Sequence, residues 1–272
     1  MKVFIVVLHF GSIDATNDCL HSFFKSRLSF ENLIVVDNDG NFEVTDKRIT
    51  VIKTKKNLGF AGGVNVGIKY ALSKKADYVL LLNNDTIVKQ NFLKALVEFS
   101  EHFENVGIVG PAIKFKRDDK FVYDIGGKLN KIFGRTTHKE VSKLANKKPR
   151  QVDYISGCAM LIKKEVFEKI GLFDEQFFLY YEDVDFCIRA KDKRFLTYVL
   201  PEVSVEHELS QSVGKVSSLA VYNQTKSALL FGRKYFKSTF FLNRVFIIAQ
   251  SIYIFMKSPR VGISAFLAFK YL

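Results

Sequence analysis

The first 110 residues alternate short apolar runs with longer amphipathic segments. Five apolar runs have the length of buried strands: Val3–Leu8, Leu33–Val36, Thr50–Lys53, Tyr78–Leu82 and Val106–Val109. Three segments between them predict helices: Asp14–Lys25, Gly62–Ser73 and Asn91–His102. This alternation is typical of an α/β fold with a parallel, doubly wound sheet.

Polar clusters follow three of the predicted strands or the loops after them, at 37–39, 57–63 and 83–85. Ligands of such sheets bind beyond the carboxyl ends of the strands. Each cluster alone has the composition of an ordinary turn, but their convergence on one edge favours a ligand site. The Gly-rich segment 57–65 enters a helix, where a phosphate can approach the backbone closely. Asp85 can bind a metal there, or it can cap the following helix.

A run of acids and aromatic residues, Gly171–Asp185, carries the second candidate site. Glu182, Asp183 and Asp185 directly follow apolar residues, which desolvate a carboxylate and raise its pKa toward that of a general base. The alternative is a surface pair between Asp185 and Arg189 at a helix start. His207 follows a strand-like segment and is a metal ligand, a donor to phosphate or a structural histidine.

The charge of the chain is unevenly distributed. Its 272 residues, enough for one large domain, carry a formal net charge of +13. The segment Leu209–Leu272 contains nine Lys or Arg and no Asp or Glu, and in Lys128–Arg150 the only acid is Glu140. We expect an anionic partner, namely nucleic acid, phospholipid or a phosphorylated substrate. We also expect Lys128–Arg150 to form a loop over the site.

The termini and cysteines indicate a cytoplasmic protein. The three cysteines show no paired spacing, which fits a reduced compartment, and the chain opens on an apolar strand without a signal-peptide pattern.

The C-terminal segment differs from the rest of the chain. Ser218–Phe236 predicts a basic helix. In the apolar segment Phe240–Met256, only twelve residues separate Arg244 from Lys257, whereas a spanning helix needs about 20. This favours an interfacial helix on anionic lipid; a re-entrant segment, a core helix and a dimer interface are the alternatives.

Several of these segments together resemble the family 2 glycosyltransferases, in the rhamnosyltransferase-like branch of bacterial surface polysaccharide synthesis. The matching segments cover roughly residues 1–212: Val35–Asn38, Lys56–Gly67, Leu82–Asp85, Ile155–Ile162, Gly171–Asp185 and Val205–His207. The resemblance implies a GT-A fold, with a mixed, mainly parallel sheet flanked by helices, a nucleotide-sugar half at 1–110 and an acceptor half at 111–216. The tail at 217–272 lies outside the resemblance, and its basic, apolar composition predicts a C-terminal amphipathic helical segment.

The resemblance also implies roles for individual residues. Asp183 would be the catalytic base of an inverting transfer, with Glu182 assisting it. Asp85 and His207 would hold Mg²⁺ or Mn²⁺, and Asn83 replaces the first aspartate of the metal motif, which leaves one direct carboxylate. The donor, a dTDP- or UDP-sugar such as dTDP-rhamnose, would contact six residues: Asp37, which would bind the nucleobase, and Asn57, Gly59, Asn65, Asn83 and Asn84.

The implied acceptor is a saccharide or a lipid-linked saccharide, and an anionic membrane surface is an expected partner. Three other classes compete with this interpretation. A nucleotidyltransferase would also use a strand-edge Asp and a Gly-rich loop, but it would leave Glu182 and Asp183 without a role. A nucleic-acid-binding protein would explain the charge, but the chain lacks a recognised module, and we expect no nucleic-acid partner. A non-catalytic sugar-nucleotide sensor would not need Asp85, Asp183 and His207.

Overall fold

The computed structural model of the chain describes residues 1–25, 30–130, 134–208 and 217–271. Its strands are β1 (Val3–His9), β2 (Asn32–Asp37), β3 (Ile49–Lys53), β4 (Tyr78–Asn83), β5 (Thr86–Ile87), β6 (Val106–Arg117), β7 (Lys120–Asn130), β8 (Arg135–Val141), β9 (Arg150–Val152), β10 (Ala159–Lys163) and β11 (Leu196–His207). Its helices are α1 (Ile13–Lys25), α2 (Gly59–Ser73), α3 (Phe92–His102), α4 (Lys164–Ile170), α5 (Glu182–Asp192), α6 (Ser218–Tyr235), α7 (Phe240–Lys257) and α8 (Pro259–Leu267). A 3₁₀ turn, Ala268–Tyr271, follows α8.

The strands form one mixed sheet in the order β3-β2-β1-β4-β10-β6-β11-β5. The first four strands of this order are parallel, as the alternating apolar pattern predicts. Strand β10 then enters antiparallel to both β4 and β6, while β6 and β11 pair in parallel. The sheet therefore runs without interruption from the predicted donor half into the predicted acceptor half.

Both faces of the sheet are covered, which explains why its central strands are apolar throughout. All seven residues of β1 are buried. Val6 and Leu8 belong to the core cluster beneath α2, α5 and α6, whereas Ile5 and Val7 belong to the cluster beneath α1 and α3. Each fully buried side chain of this kind contributes about 1.5–3 kcal/mol of transfer free energy.

The expected loop at Lys128–Arg150 is wrong where strands occupy it, whereas residues 142–149 between β8 and β9 do form a loop, and residues 131–133 lie outside the described part of the chain. Strand β8 pairs antiparallel with β7, and β9 pairs with β11. The residues of β8 are exposed or half-buried. An edge strand can carry such charged side chains toward water while its backbone completes a ladder. The basic composition that suggested a loop is therefore compatible with a strand.

Helix α6 packs on the helix that carries the acidic run. Asp185 of α5 is fully buried, and its carboxylate accepts hydrogen bonds from Arg189 Nε at 2.8 Å and Tyr235 OH at 2.6 Å. Lys234 Nζ lies 2.6 Å from the same carboxylate and 2.6 Å from that of Asp174. Two α6 residues, Lys234 and Tyr235, thus hold the start of α5 in place. The pair of Asp185 with Arg189 is present as predicted, but inside the protein.

The domain division at 216–217 stays a prediction, and residues 209–216 lie outside the described part of the chain. Beyond them α6 joins the main core through Phe231 and Phe236. Helices α7 and α8 pack against α6 and against each other. By length and composition alone, α7 could cross a membrane, with 17% of its residues buried.

We predict that Asp185→Asn lowers the free energy of unfolding by about 3 kcal/mol, because it leaves Arg189 and Lys234 facing a neutral side chain in a buried site. Urea unfolding followed by circular dichroism measures this change. The matched control is Asp153→Asn. This change breaks a half-exposed ion pair, in which Asp153 Oδ1 lies 2.8 Å from Nζ of Lys191 in α5. That variant should lose about 1 kcal/mol or less. Equal losses in the two variants would refute the anchoring role of Asp185.

Candidate active site

The loop after β2 takes its shape from Asp37. This side chain is fully buried. Its Oδ1 accepts the N–H of Gly40 at 2.7 Å, and its Oδ2 accepts the N–H of Phe42 at 3.0 Å. Both oxygens of the residue predicted to bind the nucleobase are therefore engaged by the backbone. Asp37 fixes the path of the loop at this edge of the sheet.

Asn38 ties this loop to the Gly-rich segment. Its Nδ2 donates to Asn57 Oδ1 at 3.0 Å and to the Gly59 carbonyl at 3.1 Å. Its Oδ1 accepts the N–H of Leu58 at 2.9 Å. The predicted donor residues Asp37, Asn57 and Gly59 consequently stand on one hydrogen-bonded edge. Sequence reasoning gave Asn38 no role, although it follows Asp37 directly.

Helix α2 begins at Gly59, three residues before its predicted start at Gly62. Gly59 has φ +72°, and a Cβ at this position would collide with the carbonyl of Phe178. The next N–H, that of Phe60, donates to the same carbonyl at 2.8 Å. Glycine is thus required at position 59 by the close approach of the segment before α5. The approach of a phosphate to this loop stays a prediction.

Asn65 lies within α2, inside the predicted helix, and points to the acidic run, so its predicted contact with the donor stays a prediction. It is buried, and its Nδ2 donates to the Phe173 carbonyl at 2.9 Å and to Glu175 Oε1 at 3.0 Å. Its Oδ1 accepts the N–H of Phe173 at 3.0 Å. Asn65 therefore holds the acidic run against the Gly-rich helix, a contact across 108 residues that local sequence does not reveal.

A second hydrogen-bonded network of polar side chains lies at the end of β1. Asn84 Nδ2 donates to Thr16 Oγ1 at 2.9 Å, and the buried ring of His9 bridges Thr16 Oγ1 at 2.6 Å and Asn41 Oδ1 at 2.7 Å. Phe10, the next residue, is 52% exposed. Sequence reasoning missed this aromatic surface. The signal was available in the chain, as a phenylalanine directly after a buried strand.

Asp85 and His207 meet where β5 pairs with the end of β11. His207 Nε2 lies 2.9 Å from Asp85 Oδ1 and 3.4 Å from Asn83 Nδ2. Burial lowers the pKa of His207, but Cys158 and Asp85 outweigh this effect and raise the pKa to about 11. Within the described ranges, no three His, Cys, Asp or Glu side chains are grouped to hold a metal. The protein offers one carboxylate oxygen and one imidazole nitrogen at this edge.

Glu182 and Asp183 form the first turn of α5, after two residues in the left-handed region, Tyr180 at φ +69° and Tyr181 at φ +68°. Non-glycine residues in this region cost about 1–3 kcal/mol each. Packing compensates for this cost, since the Tyr181 ring lies 5.1 Å from that of Phe231 in α6. This strained turn sets the direction in which the two carboxyl groups point.

The two carboxyl groups lie in different environments. Glu182 is 5% exposed, and its Oε2 is buried without a hydrogen-bond partner in the described structure. Burial and then the charge of Asp183 raise the pKa of Glu182 well above its usual value. Burial also raises the pKa of Asp183, but His138 and the N–H groups of Gly157 and Val184 oppose that rise. The pKa values of both carboxyl groups are therefore raised, and the groups that oppose the rise at Asp183, namely His138 and two N–H groups, make Asp183 the better placed of the two to carry a negative charge.

A single short loop joins Asp183 to the Asp85 edge. The N–H of Gly157 donates to Asp183 Oδ2 at 3.1 Å. The carbonyl of the next residue, Cys158, accepts the N–H of Asn83 at 2.9 Å. A Cβ on Gly157 would also press on the ring of Phe60 in α2. Residues 155–158 thus contact three predicted parts of the site, a role that sequence reasoning did not assign to them.

Strands β7 and β8 add a histidine near Asp183. His138 Nδ1 lies 2.7 Å from Asp124 Oδ2, and its ring packs edge-on against Tyr154 at 5.0 Å. Burial lowers the pKa of His138, whereas Asp124 and then Asp183 raise it, with a net upward shift. A cationic ring here stabilises the charge on Asp183. These residues were missed because β7 and β8 fall partly in the stretch that was expected to be a loop.

The chain is similar in sequence to enzymes of one family. The family model described as "Glycosyltransferase like family 2" matches residues 34–228, well over half of the chain. The chain is 26% identical over 215 residues to the dTDP-rhamnosyl transferase RfbF of Shigella flexneri, covering 74% of this chain and 71% of the relative. It is 24% identical over 233 residues to the N-acetylglucosaminyl-diphospho-decaprenol L-rhamnosyltransferase of Mycobacterium tuberculosis, covering 74% and 75%.

The solved structure of GalNAc-T7 with UDP, GalNAc and Mn²⁺ superposes with a TM-score of 0.65 at 14% identity. The match covers 84% of this chain and 47% of that one, so the shared region spans about half of GalNAc-T7. This likeness establishes the GT-A fold, and the predicted mixed sheet flanked by helices is confirmed. The competing nucleotidyltransferase and nucleic-acid-binding classes find no support in these comparisons. The chain belongs to glycosyltransferase family 2, in its rhamnosyltransferase-like branch, and is a glycosyltransferase.

Proposed function

We propose that the chain transfers a sugar, rhamnose in the first instance, from a nucleoside diphosphate to an acceptor hydroxyl with inversion at the anomeric carbon. The observation that carries this proposal is the loop 155–158. Gly157 binds the carboxylate of Asp183, and Cys158 binds Asn83, two residues before Asp85. The candidate base and the candidate diphosphate site are therefore both hydrogen-bonded to two consecutive residues of the same loop.

The proposed donor site is the edge formed by the ends of β1, β2 and β4. Asn57, Gly59, Asn83 and Asn84 remain candidate donor contacts there, and the exposed ring of Phe10 offers a face on which a nucleobase can stack. Asp37 would act on the nucleobase through the loop that it shapes. A dTDP- or UDP-sugar is the proposed donor, since one relative is named for dTDP-rhamnosyl transfer and another for L-rhamnosyl transfer.

Asp85 and His207 would hold a divalent cation, Mg²⁺ or Mn²⁺. The fit rests on the chemistry of the pair, a carboxylate oxygen and an imidazole nitrogen that lie 2.9 Å apart at this edge. Because the pKa of His207 is raised to about 11, binding of a cation would have to displace the proton from its Nε2. Such a cation would neutralise the negative charge that develops on the leaving diphosphate.

Asp183 is the proposed general base. Its carboxylate removes the proton from the attacking acceptor hydroxyl, whose oxygen forms the new glycosidic bond as the bond from the anomeric carbon to the diphosphate breaks. The N–H of Gly157 and the nearby His138 oppose the rise that burial causes in the pKa of Asp183. Glu182, whose pKa burial raises well above its usual value, would assist as a hydrogen-bond donor to a hydroxyl of the acceptor or the sugar.

The proposed acceptor is a saccharide hydroxyl on a lipid-linked carrier at the cytoplasmic face of a membrane. The mycobacterial relative is named for transfer to a diphospho-decaprenol-linked sugar. The acid-free segment from Leu209 onward carries the positive charge that suits an anionic surface. We therefore propose a peripheral location on the inner face of the plasma membrane.

We predict that Asp183→Asn lowers kcat for sugar transfer by about 10²–10⁴-fold, because the amide cannot accept the proton. Binding of the nucleotide sugar, measured by calorimetry, should remain within about threefold of wild type, since the substitution is nearly isosteric. The matched control is Asp192→Asn at the exposed end of the same helix, which should transfer at the wild-type rate. Unchanged transfer by Asp183→Asn would refute its role as base.

The metal proposal predicts a cation-dependent thermal shift. With Mn²⁺ present, saturating UDP or dTDP should raise the Tm of the wild-type protein by roughly 5 °C. Chelation should remove most of this shift, and Asp85→Asn should show the smaller shift whether or not Mn²⁺ is present. A shift that is indifferent to Mn²⁺ in the wild-type protein would exclude Asp85 and His207 as a metal site for the donor.

The electrostatics of the base predict a change in pH dependence. Removing the His138 cation removes a group that holds the pKa of Asp183 down. The acid limb of the pH–kcat profile should therefore move to higher pH in His138→Gln. His102→Gln, at the exposed end of α3, is the control and should leave the profile unchanged. A shift to lower pH would contradict the assigned interaction.

A further inference from the structure

Helix α7 has its polar and apolar faces reversed relative to a helix of a water-soluble domain. Its buried stripe is Asn243, Ile247 and Ser251, spaced four residues apart, so two of three inward residues are polar. The exposed large apolar side chains of α7 are Phe241, Leu242, Val245, Ile248, Ile252, Tyr253, Phe255 and Met256. A surface helix in water normally presents its apolar stripe to the core and its polar face to solvent.

The packing of Asn243 against α6 accounts for which face of α7 points inward. A Cβ on Gly232 of α6 would collide with Asn243 Oδ1, and a Cβ on Gly134 would meet Asn243 Nδ2 at 3.0 Å. The amide of Asn243 thus fits into a space that two glycines leave open. Ser251 Oγ donates to the Ile247 carbonyl at 2.8 Å, which satisfies the hydroxyl within the helix. This close fit places the polar stripe against α6 and leaves the apolar side chains of α7 exposed.

Helix α8 extends the same surface. The chain turns at Ser258, and Gly262 lies so close to the Phe255 backbone that a Cβ would overlap it. Ile263, Phe266 and Leu267 of α8 are exposed beside the apolar face of α7. The two helices, here called the α7–α8 hairpin (residues 240–267), therefore present one apolar surface. A contiguous surface of this kind marks a site of interaction with a protein or a membrane.

The charges favour lipid over a second copy of the chain. Arg244, Lys257 and Arg260 lie on the hairpin, and no Asp or Glu occurs from Leu209 to the end of the chain. Two copies meeting through this surface would bring cations together without any carboxylate to pair them. Arg244 lies 5.8 Å from the ring of Phe240, and Lys257 lies 4.8 Å from that of Tyr253. Cations and aromatic rings combined in this way suit the headgroup region of an anionic bilayer.

The packing of α8 excludes a spanning orientation. Helix α8 contacts both α7 and α6, and α6 is bonded to the active-site helix through Lys234 and Tyr235. Both ends of α7 therefore stay on the side of the enzyme, although its length and composition would allow it to cross. We infer that the α7–α8 hairpin inserts its apolar face into one leaflet of an anionic bilayer as a monotopic anchor. This deepens the proposed function by naming the surface that meets the membrane, and rests on that function only for the location of the acceptor.

The absence of Trp from the chain allows a direct test. Ile252→Trp introduces one indole on the apolar face, and Phe103→Trp introduces one at an exposed position after α3, on the opposite side of the sheet. Each full-length variant is mixed with vesicles of dibrominated phosphatidylcholine and phosphatidylglycerol. We expect emission from position 252 to shift to the blue and to be quenched by the bromine atoms, and emission from position 103 to remain unchanged.

A second pair of variants measures binding. Val245→Glu combined with Ile252→Glu places two carboxylates on exposed positions of α7. In vesicle sedimentation, this double variant should lower the partition constant between vesicles and water by at least about tenfold. Phe103→Glu is the matched control and should bind as the wild-type protein does. Higher salt should weaken wild-type binding without abolishing it, because the apolar contribution is not screened.

Three outcomes would overturn the proposal. The wild-type protein could fail to sediment with anionic vesicles, or it could bind while emission from position 252 stays unquenched, which would indicate electrostatic adsorption alone. Alternatively, emission from position 252 could shift with protein concentration in the absence of vesicles, which would identify the surface as a dimer interface. None of these readings requires transfer activity. A retained UDP- or dTDP-induced thermal shift in the double variant separates failure of the anchor from failure of the proposed function.

Discussion

The candidate active site depends on one hydrogen-bonded loop, in which Gly157 donates its N–H to Asp183 while the Cys158 carbonyl accepts the N–H of Asn83. The first contact holds a carboxylate at the start of α5, and the second holds the end of β4. The parallel donor half of the sheet and the antiparallel strand β10 meet at this loop. Burial raises the pKa of a carboxyl group at such a junction, and the Gly157 N–H and His138 oppose that rise. The loop that joins the two parts of the sheet is therefore also the loop that positions Asp183.

The parts that could be predicted were those specified by local pattern. The apolar runs of β1, β2 and β4 and the amphipathic segments of α1 and α3 follow from periodicity, because burial on both faces of a sheet leaves a distinct trace in the chain. The acidic run before α5 was recognisable for a similar reason, since charged residues rarely follow a string of aromatic residues without a function.

Long-range contacts could not be predicted in this way. Asn65 is one polar residue next to a Gly-rich segment, and its partners Phe173 and Glu175 are more than 100 residues away along the chain. No local pattern therefore indicates the contact. Likewise, the lysines and arginines of β8 suggested a loop, because nothing local indicates that β7 provides a ladder for its backbone. In α7, hydropathy gave the degree of apolarity, but only the positions of α6 and α8 show which face is inward.

The contact between Gly59 and Phe178 has a consequence for how members of this fold can diverge or be recombined. The backbone of the Gly-rich segment and that of the segment before α5 touch without an intervening side chain, and they share the hydrogen bond from Phe60 to the Phe178 carbonyl. A chimera that exchanged residues 57–65 alone would carry a loop shaped for another partner's backbone. Residues 57–65 and the segment before α5 would therefore have to be exchanged together for this backbone contact to be kept.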